Sequence, residues 1–415
     1  MRYSSSIRFV DRYIGSIILF VFTLLSYFFR RKSNRAIKNV LVIELVEMGA
    51  SIMGYSSLRH IKQRIPDARI FVLCTESTKA SWTLLDTVSP GDVCALDNRS
   101  VGTLVISMFK HIRALSKNDL DLIIDFELFT RISAILSFCI RARRRAGFYG
   151  YTMGGLYRGN FLDAKCSFNQ NMHIAKNLLA LTKTALLPSS GHYNWEGPIP
   201  NNEIVIPVYD SDPVLREQVL KRVVARLDHL RPLILLAPTV GEMLPMRDYP
   251  KEQYVEVVRQ ILKLYPEHAV VMVGIASHDE VARYIEQTVG NPRCVNFCGQ
   301  TATLPELLEL FTASDILITN DSGNPHFAAM TGLKNVALYG PETPFMYGPL
   351  GKSVCLFEFF HASPSITAYN HKNPPSDSNA SLRSISPERV VEMVGLVMED
   401  KAKYGTINNE IPYLL

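Results

Sequence analysis

The sequence predicts an α/β protein with two Rossmann-like, doubly wound domains, preceded by a hydrophobic helix at the N-terminus. Three observations lead to this fold class. Short apolar runs alternate with amphipathic stretches on both sides of a segment rich in Pro, Gly and Asn, residues 187–208, and such alternation is typical of parallel sheets covered by helices. The chain of 415 residues is long enough for two or three domains. Residues 14–29 carry no charge.

The composition excludes several classes of protein. Hydrophobic residues make up 47% and charged residues 20%, which is close to the globular average and excludes disordered and collagen-like chains. The net charge of +5 is too small to indicate a nucleic-acid-binding protein. The 7 cysteines are scattered without a Cys-x-x-Cys pair, and no convincing Asp-x-Asp motif follows a strand. We therefore predict neither a metal site nor a cofactor.

The uncharged N-terminal segment predicts membrane association. As a helix, residues 14–29 would be about 24 Å long at roughly 1.5 Å per residue, which is shorter than a bilayer core of about 30 Å. A cleaved signal peptide is disfavoured because no small-residue cleavage site follows. A single span and an anchor lying in the interface both remain open.

Five basic residues follow this segment: Arg30, Arg31, Lys32, Arg35 and Lys38. By the positive-inside rule they keep the rest of the chain on the cytoplasmic side of the inner membrane, and they would attract anionic lipid headgroups. We expect residues 1–38 to form a membrane anchor with a basic juxtamembrane segment. We also expect residues 1–32 to contribute little to the fold of the rest.

The remaining chain divides into an N-terminal domain at 39–200, a C-terminal domain at 201–375, and a loop and helix at 376–415. In the first domain we predict strands at 39–43, 69–73, 121–125 and 145–148, with helices at 52–64, 101–115 and 131–140. In the second we predict strands at 232–237, 269–274, 315–319 and 335–339, with helices at 253–264 and 326–330. Ser386 is a candidate N-cap for a last helix that begins at Pro387. Two such domains place a ligand cleft between them, at the carboxyl ends of their strands.

The densest group of polar residues follows the strand predicted at 315–319. Asn320, Asp321, Ser322 and Gly323 form a turn, and His326 falls in the first turn of the next helix. Small residues at a helix N-terminus leave backbone N–H groups that can bind an anion. The alternative is an N-capping turn beside an ordinary surface histidine.

Residues 315–349 resemble the heptosyltransferase family of glycosyltransferases, the ADP-heptose:lipopolysaccharide heptosyltransferases. The resemblance rests on Asn-Asp-Ser-Gly-x-x-His-x-Ala-Ala from Asn320, followed by Leu-Tyr-Gly-Pro from Leu338 and Tyr-Gly-Pro from Tyr347. Weaker similarity at 40–67, 303–308 and 382–390 extends it over about residues 39–395. It implies the GT-B fold, in which two Rossmann-like domains face a cleft.

The resemblance implies a site for the diphosphate of a nucleotide-sugar donor in the C-terminal domain. Arg247 stands in Arg-Asp-Tyr-Pro where the family has Lys-x-Trp-Pro, and arginine keeps the positive charge and can bind phosphate through two nitrogens. Its alternative is a solvated surface arginine. The implied diphosphate-binding residues are Thr239, Val240, Gly241, Arg247, Asp321, Ser322, Gly323 and His326.

The resemblance also implies residues for the donor ribose and for the acceptor. Asp279 and Glu280 are the candidates for the ribose, although either is also an ordinary acidic residue at a helix start. Arg131 matches a family position facing the acceptor. Arg143 and Arg144 belong to a basic run that is either a solvated helix end or a contact for an anionic acceptor, such as a phosphorylated lipid saccharide.

The chain departs from the family at the general base. The family has Gly-Asp in the turn after the first strand, whereas this chain has Gly49-Ala50, and alanine cannot accept a proton. Glu47 and Glu44 are the nearby carboxylates, and Glu47 is our candidate base. The alternatives are a turn residue exposed to water, an acceptor handled differently, or a chain without transfer activity.

Together these features predict a membrane-associated inverting glycosyltransferase. It would move a sugar, heptose by family default, from a nucleotide diphosphate donor to a lipopolysaccharide or another anionic, lipid-linked envelope saccharide. Two alternatives remain open. One is a non-catalytic protein that binds nucleotide sugars or glycans, and the other is a two-Rossmann nucleotide-sugar epimerase.

Overall fold

Each half of the chain forms one parallel six-stranded sheet covered by helices in a computed structural model, which describes residues 10–29, 36–128, 130–149, 157–188, 194–240, 245–358 and 379–404. The chain divides into unit 1, Met1–Pro207, and unit 2, Val208–Leu415. The division thus lies seven residues beyond the predicted start of the second domain at 201. The predicted α/β class with two Rossmann-like domains is confirmed.

The sheet of unit 1 has the strand order β3-β2-β1-β4-β5-β6, with all neighbours parallel. The chain builds outward from β1 in one direction and then returns to build outward in the other, so β1 and β4 meet at a topological switch point. The strands are β1 (Asn39–Ile43), β2 (Arg69–Thr75), β3 (Val93–Leu96), β4 (Leu120–Asp125), β5 (Ala142–Phe148) and β6 (Ala164–Cys166).

The described part of unit 1 contains seven α-helices. They are α1 (Gly15–Phe29), α2 (Ala50–Met53), α3 (Tyr55–Arg64), α4 (Lys79–Thr83), α5 (Val101–Leu115), α6 (Ile132–Cys139) and α7 (Ile174–Leu186). One π-helical turn, Val10–Ile14, precedes α1. Helices α5 and α6 pack on the same face of the sheet, in one apolar cluster with Leu41, Phe71 and Ile123.

Unit 2 repeats the same topology. Its order β12-β11-β10-β7-β8-β9 places the first and fourth strands, β7 and β10, side by side at a second switch point. The strands are β7 (Leu233–Ala237), β8 (Ala269–Met272), β9 (Cys294–Asn296), β10 (Ile316–Asn320), β11 (Lys334–Tyr339) and β12 (Ser353–Phe357). The helices are α8 (Pro213–Val224), α9 (Lys251–Leu264), α10 (Asp279–Val289), α11 (Leu304–Thr312), α12 (Asn324–Thr331), α13 (Pro344–Tyr347), α14 (Ala380–Ser384) and α15 (Pro387–Met398).

Helix α15 begins as its sequence predicts. The Ser386 hydroxyl accepts the N–H of Arg389 at 3.3 Å, and Pro387 occupies the first helical turn. The helix packs through Val390, Val394 and other apolar residues into the main core of unit 2. Helix α15, which was predicted within a separate segment from residue 376, therefore belongs to the core of unit 2.

Helix α1 is packed against unit 1 along one face. Leu19 is fully buried in a cluster with Ala134, Phe161 and Leu162. The aromatic rings of Phe22 and Phe138 stack with their centroids 4.2 Å apart. The expectation that residues 1–32 contribute little to the rest of the fold is therefore wrong, because their removal would expose this apolar cluster.

Polar contacts hold the packed helix just before its start and at its middle. Near its start, Asp11 pairs with the Arg131 guanidinium at 3.3 Å and accepts the Arg131 backbone N–H at 2.9 Å. Gly15 allows this close approach, since an added Cβ would lie 3.1 Å from Arg131 Cδ. At its middle, the Thr23 hydroxyl contacts the Tyr157 hydroxyl at 2.8 Å and accepts the Asn160 backbone N–H at 2.9 Å.

Substitutions on the two faces of α1 test this packing. We expect Leu19→Ala to lower the free energy of unfolding of unit 1 by about 2–5 kcal/mol, because it leaves a cavity in the buried cluster. Ile17→Ala is the matched control, since Ile17 is 66% exposed and its change should stay within about 0.5 kcal/mol. Urea unfolding of the full chain in mild detergent measures both. Equal effects would contradict the packing of α1 on α6.

Candidate functional site

The switch point of unit 2 is organised by one buried asparagine. Asn320, the last residue of β10, donates from Nδ2 to the Pro238 carbonyl at 3.1 Å. Its side-chain oxygen accepts the Tyr249 backbone N–H at 3.1 Å and the Tyr254 hydroxyl at 2.9 Å. The asparagine thereby joins the end of β10 to the segment after β7 and to the segment that leads into α9. Polar residues of all three segments are brought to one edge of the sheet.

The turn after β7 is held by a carboxylate that the sequence motif contains but that we did not single out. Asp248 accepts the Thr239 hydroxyl at 3.0 Å and the Val240 backbone N–H at 2.7 Å. Burial raises the pKa of Asp248, and these two hydrogen bonds oppose that rise. The predicted residues Thr239 and Val240 therefore lie at the carboxyl end of β7, with the Val240 N–H donated to Asp248. Gly241 lies outside the described residues.

Arg247 lies between two buried carboxylates. Its Nε is 3.3 Å from Asp321 Oδ2, and its Nη2 is 3.5 Å from Glu342 Oε1. Burial raises the pKa of Asp321, and the charge of Arg247 opposes the rise. The structure thus brings together Arg247 and the turn that begins at Asp321, as the resemblance implies. It excludes the alternative of a solvated surface arginine, because only 14% of the side chain is exposed.

Glu342 was missed by the sequence reasoning. It follows the Leu-Tyr-Gly-Pro motif after β11, and that proximity is the only signal that could have found it. Nothing in the spacing of Arg247 and Glu342, almost a hundred residues apart, predicts their contact. Strands β7 and β11 flank β10 in the sheet, so the segments that follow them, which carry Arg247 and Glu342, lie at the same edge.

The turn between β10 and α12 presents several groups that can donate hydrogen bonds to an anion. Ser322 Oγ lies 3.3 Å from the Thr319 hydroxyl and accepts the Asn324 N–H at 3.3 Å. Gly323 is the N-cap of α12 and has no side-chain cap. His326 lies in the first turn of α12 and is buried. A helix N-terminus beside an arginine and an imidazole is suited to phosphate binding.

The two ribose candidates occupy different surroundings at the start of α10. Asp279 accepts a hydrogen bond from the Asn296 amide at 2.8 Å and pairs with Arg283. Glu280 is exposed to solvent. Both follow β8, which is adjacent to β7, so they belong to the same edge of the sheet as Thr239. Their binding role stays a prediction.

The switch point of unit 1 carries a cluster of buried carboxylates. Glu127, two residues beyond β4, accepts the N–H groups of Leu45 and Val46 at 2.8 and 3.1 Å through one oxygen. Glu44, directly after β1, accepts the N–H groups of Val46 and Glu47, both at 3.3 Å. These bonds shape the loop after β1, which carries the candidate base Glu47.

Three buried carboxylates, Glu44, Asp125 and Glu127, lie at this switch point with one buried arginine, Arg158. Burial and the neighbouring charges of Glu127 and Glu47 raise the pKa of Glu44 well above its ordinary value. Burial raises the pKa of Glu127 to about 7, and Asp125 adds to the rise. Arg158, also buried, pairs with Asp125 and donates to the Glu127 carbonyl and to Ser133. We did not predict Arg158 as a site residue, and no local motif marks it.

Of the three predicted acceptor arginines, Arg131 follows the carboxyl end of β4 as the N-cap of α6, whereas Arg143 and Arg144 lie at the other edge of the sheet. Arg131 is buried against Asp11 of the N-terminal segment. Arg143 lies near the amino end of β5 and pairs with Asp119 and Asp121, each at 3.1 Å. Arg144 donates to the Leu187 carbonyl at 3.0 Å, also near the amino end of β5.

The basic run is therefore mainly a strand, and the alternative of a solvated helix end is wrong for Arg143–Arg145. Arg145 donates to the carbonyls of Ser137 and Ile140 at 2.7 and 2.9 Å. It thus satisfies carbonyl groups near the C-terminal end of α6, which otherwise have no helical partner. An acceptor role for Arg143 and Arg144 stays a prediction, although the carboxyl ends of the strands lie at the opposite edge of the sheet.

A comparison with known protein families matches the model of glycosyltransferase family 9 (heptosyltransferase) to residues 108–372, more than half of the chain. The chain belongs to glycosyltransferase family 9. It is 30% identical over 178 residues to lipopolysaccharide heptosyltransferase 2 of Salmonella typhimurium and 31% identical over 180 residues to the protein of that name from Escherichia coli. These matches cover 41% of the chain and 48% and 49% of the two relatives. The matched stretch thus spans about half the length of the curated relatives.

Solved structures show the same fold over most of this family 9 chain. The E. coli ADP-heptose LPS heptosyltransferase II structure superposes with a TM-score of 0.66 at 21% identity, covering 88% of this chain and 100% of the other. The family 9 glycosyltransferase of Veillonella parvula superposes with a TM-score of 0.68 at 17% identity, covering 89% and 100%. The predicted GT-B class is therefore confirmed.

The position of the missing family aspartate is now defined. Ala50 is buried at the first position of α2, and Gly49 is its N-cap. Glu47 lies in the preceding turn, partly exposed, with its backbone N–H bound to Glu44. Glu47 thus follows β1 at the carboxyl edge of the sheet, where a base is needed, and its role stays a prediction.

The buried pair Glu44 and Glu127 predicts that the stability of unit 1 depends on pH. The pKa of Glu127 is raised in the folded state, so folding takes up a proton, and stability is lost as the pH rises from about 4.5 through about 7. We expect Glu127→Gln, which keeps an oxygen acceptor for Leu45 and Val46, to weaken this loss by on the order of 1–3 kcal/mol between pH 5 and 8. Urea unfolding at both pH values measures it.

The control for this prediction is Glu76→Gln, which removes an exposed carboxylate of unit 1. It should leave the pH dependence of the wild type unchanged. If Glu127→Gln also leaves it unchanged, the buried pair does not titrate as the geometry indicates.

Proposed function

We propose that this family 9 protein is a membrane-associated inverting glycosyltransferase. It transfers a sugar, heptose by family default, from a nucleotide diphosphate donor to a lipopolysaccharide or another anionic, lipid-linked envelope saccharide. The observation that carries the proposal is the site at the switch point of unit 2. There Arg247 lies beside the Asp321 turn and the open N-terminus of α12, in a chain whose family is defined by sugar transfer.

The donor diphosphate binds where positive and hydrogen-bonding groups meet. The amides at the start of α12, the Ser322 hydroxyl and the His326 imidazole donate to phosphate oxygens. Arg247 reaches the phosphate by exchanging its longer contact, the one to Glu342 at 3.5 Å. The same groups stabilise the charge that develops as the nucleoside diphosphate leaves. Among the described residues, no group of three or more His, Cys, Asp or Glu side chains is arranged to hold a metal ion.

The acceptor hydroxyl loses its proton at the carboxyl edge of unit 1. Inversion requires attack on the anomeric carbon from the face opposite the leaving diphosphate, with a base on the acceptor hydroxyl. At the switch point between β1 and β4, Glu47 is partly exposed, whereas Glu44, Asp125 and Glu127 are buried. Glu44 and Glu127 accept the backbone N–H groups of the same loop and position it.

The N-terminal segment attaches the enzyme to the cytoplasmic face of the inner membrane. Among the described residues, one helical stretch, Val10–Phe28, is long and apolar enough to cross a membrane. Four of the five basic residues that follow lie outside the described part of the chain. Attachment supports an acceptor that is itself anchored in lipid.

Donor binding can be tested with thermal shifts. A true donor or its nucleoside diphosphate at 100 times its dissociation constant should stabilise the wild type by about 2.7 kcal/mol. We expect Ser322→Ala and His326→Ala each to weaken binding by roughly 1.5–3 kcal/mol, because each removes a hydrogen bond to a charged phosphate. Isothermal titration with a panel of nucleoside diphosphates measures the affinity.

The matched control for donor binding is His229→Ala, since His229 is an exposed histidine of unit 2. It should bind like the wild type. Arg247→Ala is a poorer probe, because it also leaves Asp321 and Glu342 buried without their cation and thereby lowers stability. Unchanged affinity in both Ser322→Ala and His326→Ala would exclude this placement of the diphosphate.

A second candidate function is a non-catalytic nucleotide-sugar or glycan-binding protein, which Ala50 favours because the family base is absent. We expect instead that Glu47→Gln lowers the turnover of sugar transfer by about 10²–10⁴, the usual contribution of a general base. Its donor affinity should barely change, since the donor site belongs to unit 2. Glu267→Gln, which changes an exposed glutamate of unit 2, is the control.

Three outcomes of this assay are informative. Full activity in Glu47→Gln would assign the base elsewhere. A wild type that binds donor without transferring or hydrolysing it would support the binding protein, and Ala50→Asp would then test whether the missing carboxylate is the cause. Release of free sugar without an acceptor would support an epimerase.

A further inference from the structure

From Asp11 to Thr23, the N-terminal helical segment has one covered face and one open face. The covered face runs from Asp11, paired with Arg131, through the buried Leu19 to Thr23, which contacts Tyr157. The open face is apolar. Its exposed side chains are Val10, Tyr13, Ile14, Ile17, Phe20, Val21, Leu24, Leu25, Tyr27 and Phe28.

This arrangement is incompatible with a helix that crosses the bilayer while it stays packed. A spanning helix would carry its docking partners into hydrocarbon, including the Asp11–Arg131 ion pair and the polar backbone near Asn160. Release of the helix would instead leave Arg131 without Asp11 and expose the cluster around Leu19. A helix lying in the plane of the interface keeps both sets of contacts, because only its open face enters lipid.

Helix α5 carries a second exposed apolar stripe, which the core does not use. Val101, Val105, Ile106 and Phe109 project into solvent, and Ile106 and Phe109 are each 71% exposed. The opposite side of the same helix supplies the core contacts through Leu104, Met108 and Ile112. Large apolar side chains grouped on a surface mark an interaction site more often than a solvated face.

The charge of α5 indicates what covers this stripe. Lys110 and Arg113 of the helix, and Lys117 two residues after it, are exposed and follow Phe109 along the chain, and the helix itself contains no acidic residue. Apolar side chains followed by cations, without carboxylates, match a lipid interface in which acyl chains lie beside anionic headgroups.

The fold places both stripes in the same layer of unit 1. Helix α6 lies between them, since its Leu136 and Ile140 pack with α5 against the sheet, whereas its Ala134 packs with α1. The two open faces therefore belong to one side of the sheet. We call the exposed apolar residues of α1 and α5, together with Lys110, Arg113 and Lys117, the lipid face.

We propose that the lipid face lies flat on an anionic membrane surface, with α1 in the plane of the interface and α5 as a second point of insertion. The proposal deepens the membrane association proposed above and does not depend on sugar transfer. Contact through two helices fixes the rotation of unit 1 about α1, which a single anchor leaves free. Unit 1 then presents a constant side to a lipid-linked acceptor.

The test measures insertion depth with one tryptophan added per variant of the full-length protein. Leu24→Trp reports α1, Phe109→Trp reports α5, and Val214→Trp, at an exposed position of α8 in unit 2, is the matched control. Each variant is mixed with phosphatidylcholine vesicles containing 30% phosphatidylglycerol and lipids spin-labelled at different depths. Native Trp82 and Trp195 provide the background in the wild type.

We expect Leu24→Trp and Phe109→Trp to be quenched at the same shallow depth, and Val214→Trp to remain unquenched. Adding Lys110→Glu and Arg113→Glu to Phe109→Trp should reduce its quenching at least threefold, while α1 still holds the protein on the vesicle. Thermal unfolding without vesicles checks that these variants fold.

Two results would overturn the proposal. Quenching of Leu24→Trp at the bilayer centre, with no quenching of Phe109→Trp, would mean that α1 crosses the membrane and α5 stays in water. Loss of self-association in Ile106→Glu/Phe109→Glu by analytical ultracentrifugation, with vesicle quenching of Leu24→Trp unchanged in depth, would assign the α5 stripe to a second copy of the chain. A wild type that inserts as expected but transfers no sugar leaves the lipid face intact and contradicts only the transferase proposal.

Discussion

The structure depends on the ion pairs and hydrogen bonds that buried carboxylates make at the carboxyl edges of its two parallel sheets. A parallel sheet brings the ends of its central strands together at one edge, and in this chain each switch point has acidic side chains there. In unit 2, Asp321 is balanced by Arg247. In unit 1, Asp125 is balanced by Arg158, and Glu127 is held by backbone N–H groups. A buried charge without such partners would strongly destabilise either unit.

The buried carboxylates have different partners at the two edges, and these partners agree with the role proposed for each edge. Unit 2 combines one cation with the N-terminus of a helix, which favours a bound anion such as a diphosphate. Unit 1 combines three buried carboxylates with one arginine. Burial raises the pKa of Glu44 and of Glu127, and neighbouring carboxylates add to the rise. We propose an anion site on unit 2 and a proton acceptor, Glu47, on unit 1. Both are requirements of glycosyl transfer.

The N-terminal segment, for which membrane attachment is proposed, is part of the fold of unit 1. An isolated anchor could be exchanged without effect on the enzyme, but here Asp11 satisfies Arg131, and Leu19 fills a pocket on α6. Arg131 is the residue that the family resemblance assigns to the acceptor. In the proposed arrangement, the contact between Asp11 and this arginine links the position of the lipid surface to the unit proposed to bind the acceptor.

Local sequence patterns were sufficient to predict the alternation of strands and helices, the switch-point turn at Asp321, the N-cap at Ser386 and the apolar helix α1. Each of these features depends on residues that are neighbours in the chain. The family resemblance added the GT-B class and the approach of Arg247 to Asp321. Tertiary structure alone decided the partners of the buried charges: Glu342 for Arg247, Asp11 for Arg131, and Arg158 for Asp125. It also decided that Arg143 and Arg144 lie at the amino edge of their strand, and that one face of α5 is left open. These contacts join residues distant in the chain, and their positions follow from strand order and helix packing, which no local pattern of residues encodes.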